Sequence, residues 1–225
     1  MPVEDTLPPG IARFDAMLHA RRHAVTLLLI LLAVTVRAAF WSQVVQGPCA
    51  ALHRWEQSDM HHFHGWGQAV AAGDLRSTTV QVPLNLPHRA IARDFLAANP
   101  EDPAHASPDP VRTLWDRWLG DGRFYQEPLY PYLVAAIQAA APDQGPRAVA
   151  WFQMLLGVLT ILAVRRITER RFGPSAGLLA GVAAVAAGPV LFYEALLLRE
   201  SAIIFAGVVL VDAAELDRRD VVREV

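Results

Sequence analysis

Residues 148–171 read AVAWFQMLLGVLTILAVRRITERR, an apolar run over 148–164 followed by Arg165, Arg166, Arg170 and Arg171. A run of that length lies near the minimum for a helix that crosses a bilayer, about 17–25 residues. Short arginine-rich connections stay on the cytoplasmic side. Similar runs occur at 24–41, 175–192 and 201–214. Arg21 and Arg22 precede the first of them, and Arg218, Arg219 and Arg223 follow the last. With all three clusters inside, the four runs alternate consistently. The predicted fold class is therefore all-α, a polytopic membrane protein with about four transmembrane helices and a large outer loop containing interfacial helices. The predicted divisions are a cytoplasmic segment over 1–22, a first transmembrane helix over 23–42, an outer (periplasmic) loop over 43–146 and three transmembrane helices over 147–214. Residues 215–225 are a cytoplasmic tail or a truncation point.

Composition agrees with this division. The chain has 225 residues, of which 53% are hydrophobic, and a mean hydropathy of +0.26. A soluble all-α protein with buried helices is the alternative, but it leaves the arginine placement as coincidence. The segment LLAGVAAVAAGPVLF (178–192) is rich in Ala and Gly, which suits close packing between helices. Net charge is −2 and the pI about 6.4, so nothing points to nucleic acid. All 20 basic residues are Arg, as expected of a GC-rich bacterial gene. Cys49 is the sole cysteine, which excludes an intramolecular disulfide. Arg21-Arg22 before an apolar stretch has some likeness to a signal peptide. The long leader and the continuation Arg37-Ala38-Ala39-Phe40-Trp41 favour a retained span, with Arg37 snorkelling to the outer interface beside Trp41.

Turn and cap signals subdivide the rest. Residues 1–10 read as a disordered lead and 11–20 as a short cytoplasmic helix. A helix is predicted over 59–72, with Ser58 as N-cap and Gly73 as the stop. The stretch 74–110 reads as ordered loop with a short helix at 88–97. Residues 111–119 form an amphipathic helix whose Trp115 and Trp118 suit a membrane interface. Gly120-Asp121-Gly122 is a turn. Leu129 to Ala141 is apolar but short, and contains Pro131 and Gln138. Counting it as a span would put Arg165 to Arg171 outside, so it is expected to lie along or dip into the outer interface.

Several polar residues could carry chemistry in the outer loops. Asp59 opens the predicted helix, where free N–H groups stabilise its ionised form. Such a carboxylate can act as a general base or bind a divalent cation; ordinary capping is the simpler reading. His61 and His64 share a helix face and could pair on a metal, but no third ligand stands at helical spacing. Glu127 precedes Pro128 at another helix start. Arg123, Tyr125 and Tyr130 around it are natural phosphate or sugar contacts; a capped interfacial helix is the alternative. Glu200, beside Arg199, falls in the second outer loop, where a charge is functional or paired, and Glu194 competes with it.

These pieces occur in a recognisable order. Asp59 is followed four positions later by Phe63, and the helix ends at Gly73-Asp74. Pro128-Leu129-Tyr130-Pro131 begins the interfacial helix. Arg165-Arg166 through Arg171-Phe172-Gly173 closes a span, and an Ala-rich span leads to Glu200 in LLLRES. Over residues 23–214 the chain resembles the N-terminal part of the GT-C membrane glycosyltransferases, in particular the dolichyl-phosphate-mannose protein mannosyltransferase and lipid A aminoarabinose transferase group. The resemblance implies transfer of a sugar from a polyprenyl-phosphate donor to an acceptor at the outer face of a bacterial inner membrane. It implies that Asp59 is the acceptor-activating base or a metal-site carboxylate, that Glu127 lines the same cavity, and that Glu200 is the acidic residue of the second loop. A divalent cation is the only cofactor it suggests. Asp59 departs from the family in lacking an adjacent acidic residue, and Glu127 stands where some members have Lys. Members also have more spans than the four expected here.

The rival reading is a non-catalytic membrane scaffold or assembly subunit, with Trp115, Trp118 and residues 74–110 as its contact surface. A transporter fragment is the third reading. It is set aside here because the sequence gives no evident intramembrane charges or broken helices.

Overall fold

The structure is a computed structural model and describes residues 8–80, 82–119 and 126–223. In chain order the helices are α1 (Pro9–Ala20), α2 (Arg22–Val44), α3 (Asp59–Ala71), α4 (Leu86–Ala98), α5 (Pro110–Trp118), α6 (Leu129–Ala140), α7 (Pro146–Phe172), α8 (Pro174–Val185), α9 (Gly188–Ala195) and α10 (Glu200–Arg223). Two short 3-10 helices, Pro48–Arg54 and Pro103–Ala106, complete the regular structure, and no strand forms among the described residues. The all-α class expected from the sequence holds. The chain divides into two compact units, one made of residues 1–47 with 150–225 and the other of residues 48–149.

The first unit carries the apolar helices. At 1.5 Å per residue, the 23 residues of α2 span about 35 Å, enough for a hydrocarbon core of about 30 Å. The 27-residue α7 also suffices. The third apolar run is not one straight helix: α8 and α9 meet at a 50° bend. Pro189 follows Gly188 at the start of α9. Pro189 has no N–H to give the Val185 carbonyl one turn back, so the first helix stops at Val185 and a new one starts at Gly188. Two helices are thus individually long and apolar enough to cross a membrane, or three spans result if the bent pair counts as one. The 24-residue α10 is long enough, but its apolar stretch stops at Asp212. The four spans of the sequence reading are an approximate count of this set.

Packing in this unit has a consistent sense. Leu29 and Ala33 of α2 meet Val158 and Ile161 of α7 and Val185 of α8 in one buried cluster. Arg165 donates to the Thr26 hydroxyl at 2.7 Å near the start of α2, so α2 and α7 run in opposite directions. Asp212 of α10 takes Arg166 and Arg170, and Glu215 takes Arg171. The Ser175 amide at the start of α8 donates to Asp15 of α1 at 2.8 Å. The start of α2, the end of α7 and the later half of α10 therefore share one end of the unit, as alternating spans require. Two expectations need correction. Arg165 to Arg171 are not an inter-span loop but the last turns of a continuous α7. The lead is not irregular to residue 10, because α1 begins at Pro9; residues 1–7 lie outside the described residues.

The second unit is built on caps and aromatic packing. Ser58 is the N-cap of α3, its hydroxyl accepting the His61 amide at 3.1 Å. At the other end Gly73 has φ +102°, a left-handed conformation that disfavours any side chain. The Gly73 amide bonds the Val70 carbonyl and the Asp74 amide bonds the Ala69 carbonyl, which closes the helix as a Schellman motif. A second layer forms where Ala92 and Leu96 of α4, Ala104 of the 3-10 helix Pro103–Ala106 and Leu114 of α5 cluster out of solvent. The face of α5 expected at a membrane interface is turned partly inward. Trp115 donates to the Pro83 carbonyl at 3.1 Å and stacks on His88, while Trp118 meets Phe95 edge-on. Helix α6 has 12 residues, about 18 Å, and is too short to span. The predicted turn at 120–122 lies outside the described residues.

Candidate functional site

The site residues named from sequence fall in both units. Asp59 is the first residue of α3 and is exposed. Its position is fixed from three directions. The Ser58 hydroxyl also donates to the Leu52 carbonyl at 2.6 Å, tying the helix start to the preceding 3-10 helix. The neighbouring Met60 is buried, and Phe63, one turn on, is 2% exposed. Phe63 stands edge-on to Tyr130 of α6 with ring centroids 5.1 Å apart. Helices α3 and α6 pack closely at Gly67, where an added Cβ would lie 2.5 Å from Val134 Cγ1. Glycine at this position permits the contact. Trp66, Val70 and Ala135 fill the rest of the seam.

Glu127 is exposed two residues before α6. Tyr130, expected as a substrate contact, is 4% exposed, and its ring belongs to the α3–α6 packing. Arg123 and Tyr125 lie outside the described residues. Asp74, quoted from the Gly-Asp pair, has a structural role. Its Oδ1 accepts from the Thr78 amide and hydroxyl at 2.8 Å each, and its Oδ2 from those of Thr79 at 2.7 Å each. The Thr79 hydroxyl bond first, with the two backbone N–H bonds, holds this carboxyl well below the usual carboxylate range.

The histidines gather on one side of α3. His64 Nδ1 lies 3.0 Å from Gln138 Nε2 of α6, and its Nε2 lies 3.2 Å from Gln68 Nε2. His53 meets the His64 ring edge-on at 5.5 Å, and His61 Nδ1 lies 3.1 Å from the His53 carbonyl. Burial is the main cause that lowers the basicity of His53, His62 and His64. Nδ1 of His61 and both ring nitrogens of His64 lie against protein groups rather than converging on a point. Among the described residues, no group of three His, Cys, Asp or Glu side chains could hold a metal ion.

In the first unit Glu200 begins α10, half-buried, and its enclosed Oε2 has no hydrogen-bond partner. The more deeply buried acid is its competitor, Glu194 of α9, which is fully buried. Arg37 Nη2 meets Glu194 Oε1 at 2.7 Å, and Arg37 is only 3% exposed. The snorkelling expected of Arg37 is therefore wrong. The side chain turns inward to a carboxylate because an unpaired charge in hydrocarbon costs more than a paired one. Gly157 makes room: a Cβ there would collide with the Glu194 carboxylate and come within 2.7 Å of Arg37 Nη2. Buried Gln153 completes the group, its Nε2 reaching the carbonyls of Tyr193, Glu194 and Leu196 at 3.0, 3.3 and 2.7 Å. These carbonyls lie at or just past the end of α9, where the helical ladder runs out. The available signal was that Arg37 and Glu194, opposite in sign, each interrupt an apolar run. A broken apolar helix and a charge pair buried among apolar helices are thus both present, and their supposed absence no longer argues against a transporter.

No protein-family model, curated protein or solved structure matches the chain.

Proposed function

We propose that the chain is a membrane glycosyltransferase, or the N-terminal part of one, of the GT-C type. It transfers a sugar from a polyprenyl-phosphate donor to an acceptor at the outer face of the bacterial inner membrane, as a multi-pass protein. The observation that carries this reading is the setting of Asp59. An exposed carboxylate heads a helix whose cap, stop and seam with α6 are all locked, and its unit lies in sequence between two apolar helices long enough to span. A positioned base of this kind can polarise an acceptor hydroxyl while the phosphate departs. Glu127, Glu200, Arg123, Tyr125 and Tyr130 keep their assignments by resemblance only. A divalent cation on Asp59 would need its other ligands from water and the donor phosphate, since one exposed carboxylate is all this position offers.

The test is Asp59→Asn in the intact enzyme, assayed in membranes with a polyprenyl-phosphate sugar. Transfer is expected to fall by about 10²-fold or more with membrane insertion unchanged. Wild-type rates in the variant would remove Asp59 from the mechanism. The scaffold reading loses part of its contact surface, because Trp115 and much of Trp118 are committed to packing within the second unit.

A further inference from the structure

We infer that a cleft at the arginine-bearing end of the first unit binds the phosphate of an anionic membrane lipid. The cleft, of about 300 Å³, lies between the start of α2 and the end of α7. One water occupies roughly 30 Å³, so a phosphate group fits with room for its ester oxygens. Three guanidinium groups, from Arg22, Arg165 and Arg166, line it together with His23 and Thr26, and Glu169 is the only carboxylate among the lining residues.

Arg165 makes this a built site. Its side chain is 8% exposed, with Nη1 on the Thr26 hydroxyl at 2.7 Å and Nη2 at 3.4 Å from Glu169. Its Nε is enclosed and has no hydrogen-bond partner. A buried guanidinium N–H left unmet is costly, so Arg165 holds its charge at the cleft wall without full compensation from the protein. Arg22 and Arg166 are exposed at the rim. Arg22 meets only the His23 ring, at 3.4 Å, and Arg166 shares Asp212 with Arg170. Positive charge therefore exceeds negative in the cleft, and guanidinium forks match phosphate oxygens.

The surroundings favour a lipid over a free anion. Leu162 forms an apolar part of the lining. Leu27, one turn after the lining residue His23, is 56% exposed on a helix long and apolar enough to span. A phosphate in the cleft would have its acyl chains beside Leu162 and Leu27. Basic pockets between transmembrane helices bind anionic head groups by this chemistry. The inference does not rest on the transferase reading.

The full chain, purified in a neutral detergent, is incubated with phosphatidylglycerol or with phosphatidylcholine of the same acyl chains. Bound lipid is then counted by native mass spectrometry. At least fivefold greater retention of phosphatidylglycerol is expected, and its loss in the Arg22→Gln/Arg166→Gln double variant. Arg165 is left intact because it ties α2 to α7. Arg93→Gln, an exposed arginine of the second unit, should retain the lipid as the wild type does. Equal retention of the two lipids, or an equal loss in Arg93→Gln, would overturn the inference. Displacement of the lipid by an equal concentration of inorganic phosphate would also overturn it, by assigning the cleft to a soluble anion.

Discussion

The two units solve the problem of polar groups in opposite ways. In the unit of residues 1–47 and 150–225, the buried charges meet each other, Arg37 with Glu194, while Gln153 serves the carbonyls at the broken end of α9. In the unit of residues 48–149, polar side chains mostly serve the backbone: Ser58 caps α3, Asp74 gathers Thr78 and Thr79, and Trp115 bonds a carbonyl. The difference follows from solvent. A helix in hydrocarbon satisfies its own backbone and must match side-chain charges internally. A unit rich in loops must cap and staple its backbone instead.

That contrast can be broken most sharply at the buried pair. Arg37→Leu alone should destabilise the first unit by about 3–5 kcal/mol, because it leaves Glu194 charged and unmatched. Arg37→Met with Glu194→Leu should restore most of that loss. Thermal melts in detergent read both, and an undamaged single variant would show that the pair is not embedded. The corresponding probe in the second unit is Gly67→Ala. Its methyl group would meet Val134 at 2.5 Å and cost about 1–3 kcal/mol in overpacking. The gain in helix propensity, about 1 kcal/mol, offsets part of this. Adding Val134→Ala should recover stability if the seam is as described, and a further loss would contradict it.

A smaller effect separates the units by pH. His53, His62 and His64 bind protons less readily folded than unfolded. The stability they contribute is complete above the ordinary value of 6.5 and declines as pH falls below it. Asp74 is depressed, so its contribution is present above 3.8 and is lost as pH falls from there toward its lower folded value. The melting temperature of the second unit, followed by tryptophan fluorescence, should therefore drop between pH 7.5 and 5.5. A constant or rising midpoint would contradict the burial assigned to these histidines.

Local chemistry made much of this legible from sequence. Ser58, Gly73 and the 59–72 helix announce themselves through cap and stop residues, and α6 was kept out of the spans by its length. The arginine rule located the shared end of α2, α7 and α10. The reading failed where a residue's fate depends on a distant partner. Arg37 sits close enough to a span end to snorkel, and only the approach of α9 beside Gly157 gives it a carboxylate instead. The break just before Gly188-Pro189 carries a local signal, but the apolar run on both sides masks it. Asp59 was legible as a helix start, whereas Tyr130 lost its solvent face to a contact with Phe63 that no spacing rule encodes.

One labelling experiment measures on which side of the membrane each segment lies. In a Cys49→Ser background, Ala106→Cys and Ala20→Cys place single thiols at exposed positions, one in each unit. A membrane-impermeant maleimide applied to intact spheroplasts should label Ala106→Cys and reach Ala20→Cys only after lysis. Labelling of Ala20→Cys in intact cells, with Ala106→Cys protected until lysis, would invert the topology and take Asp59 away from the face where the proposed transfer occurs.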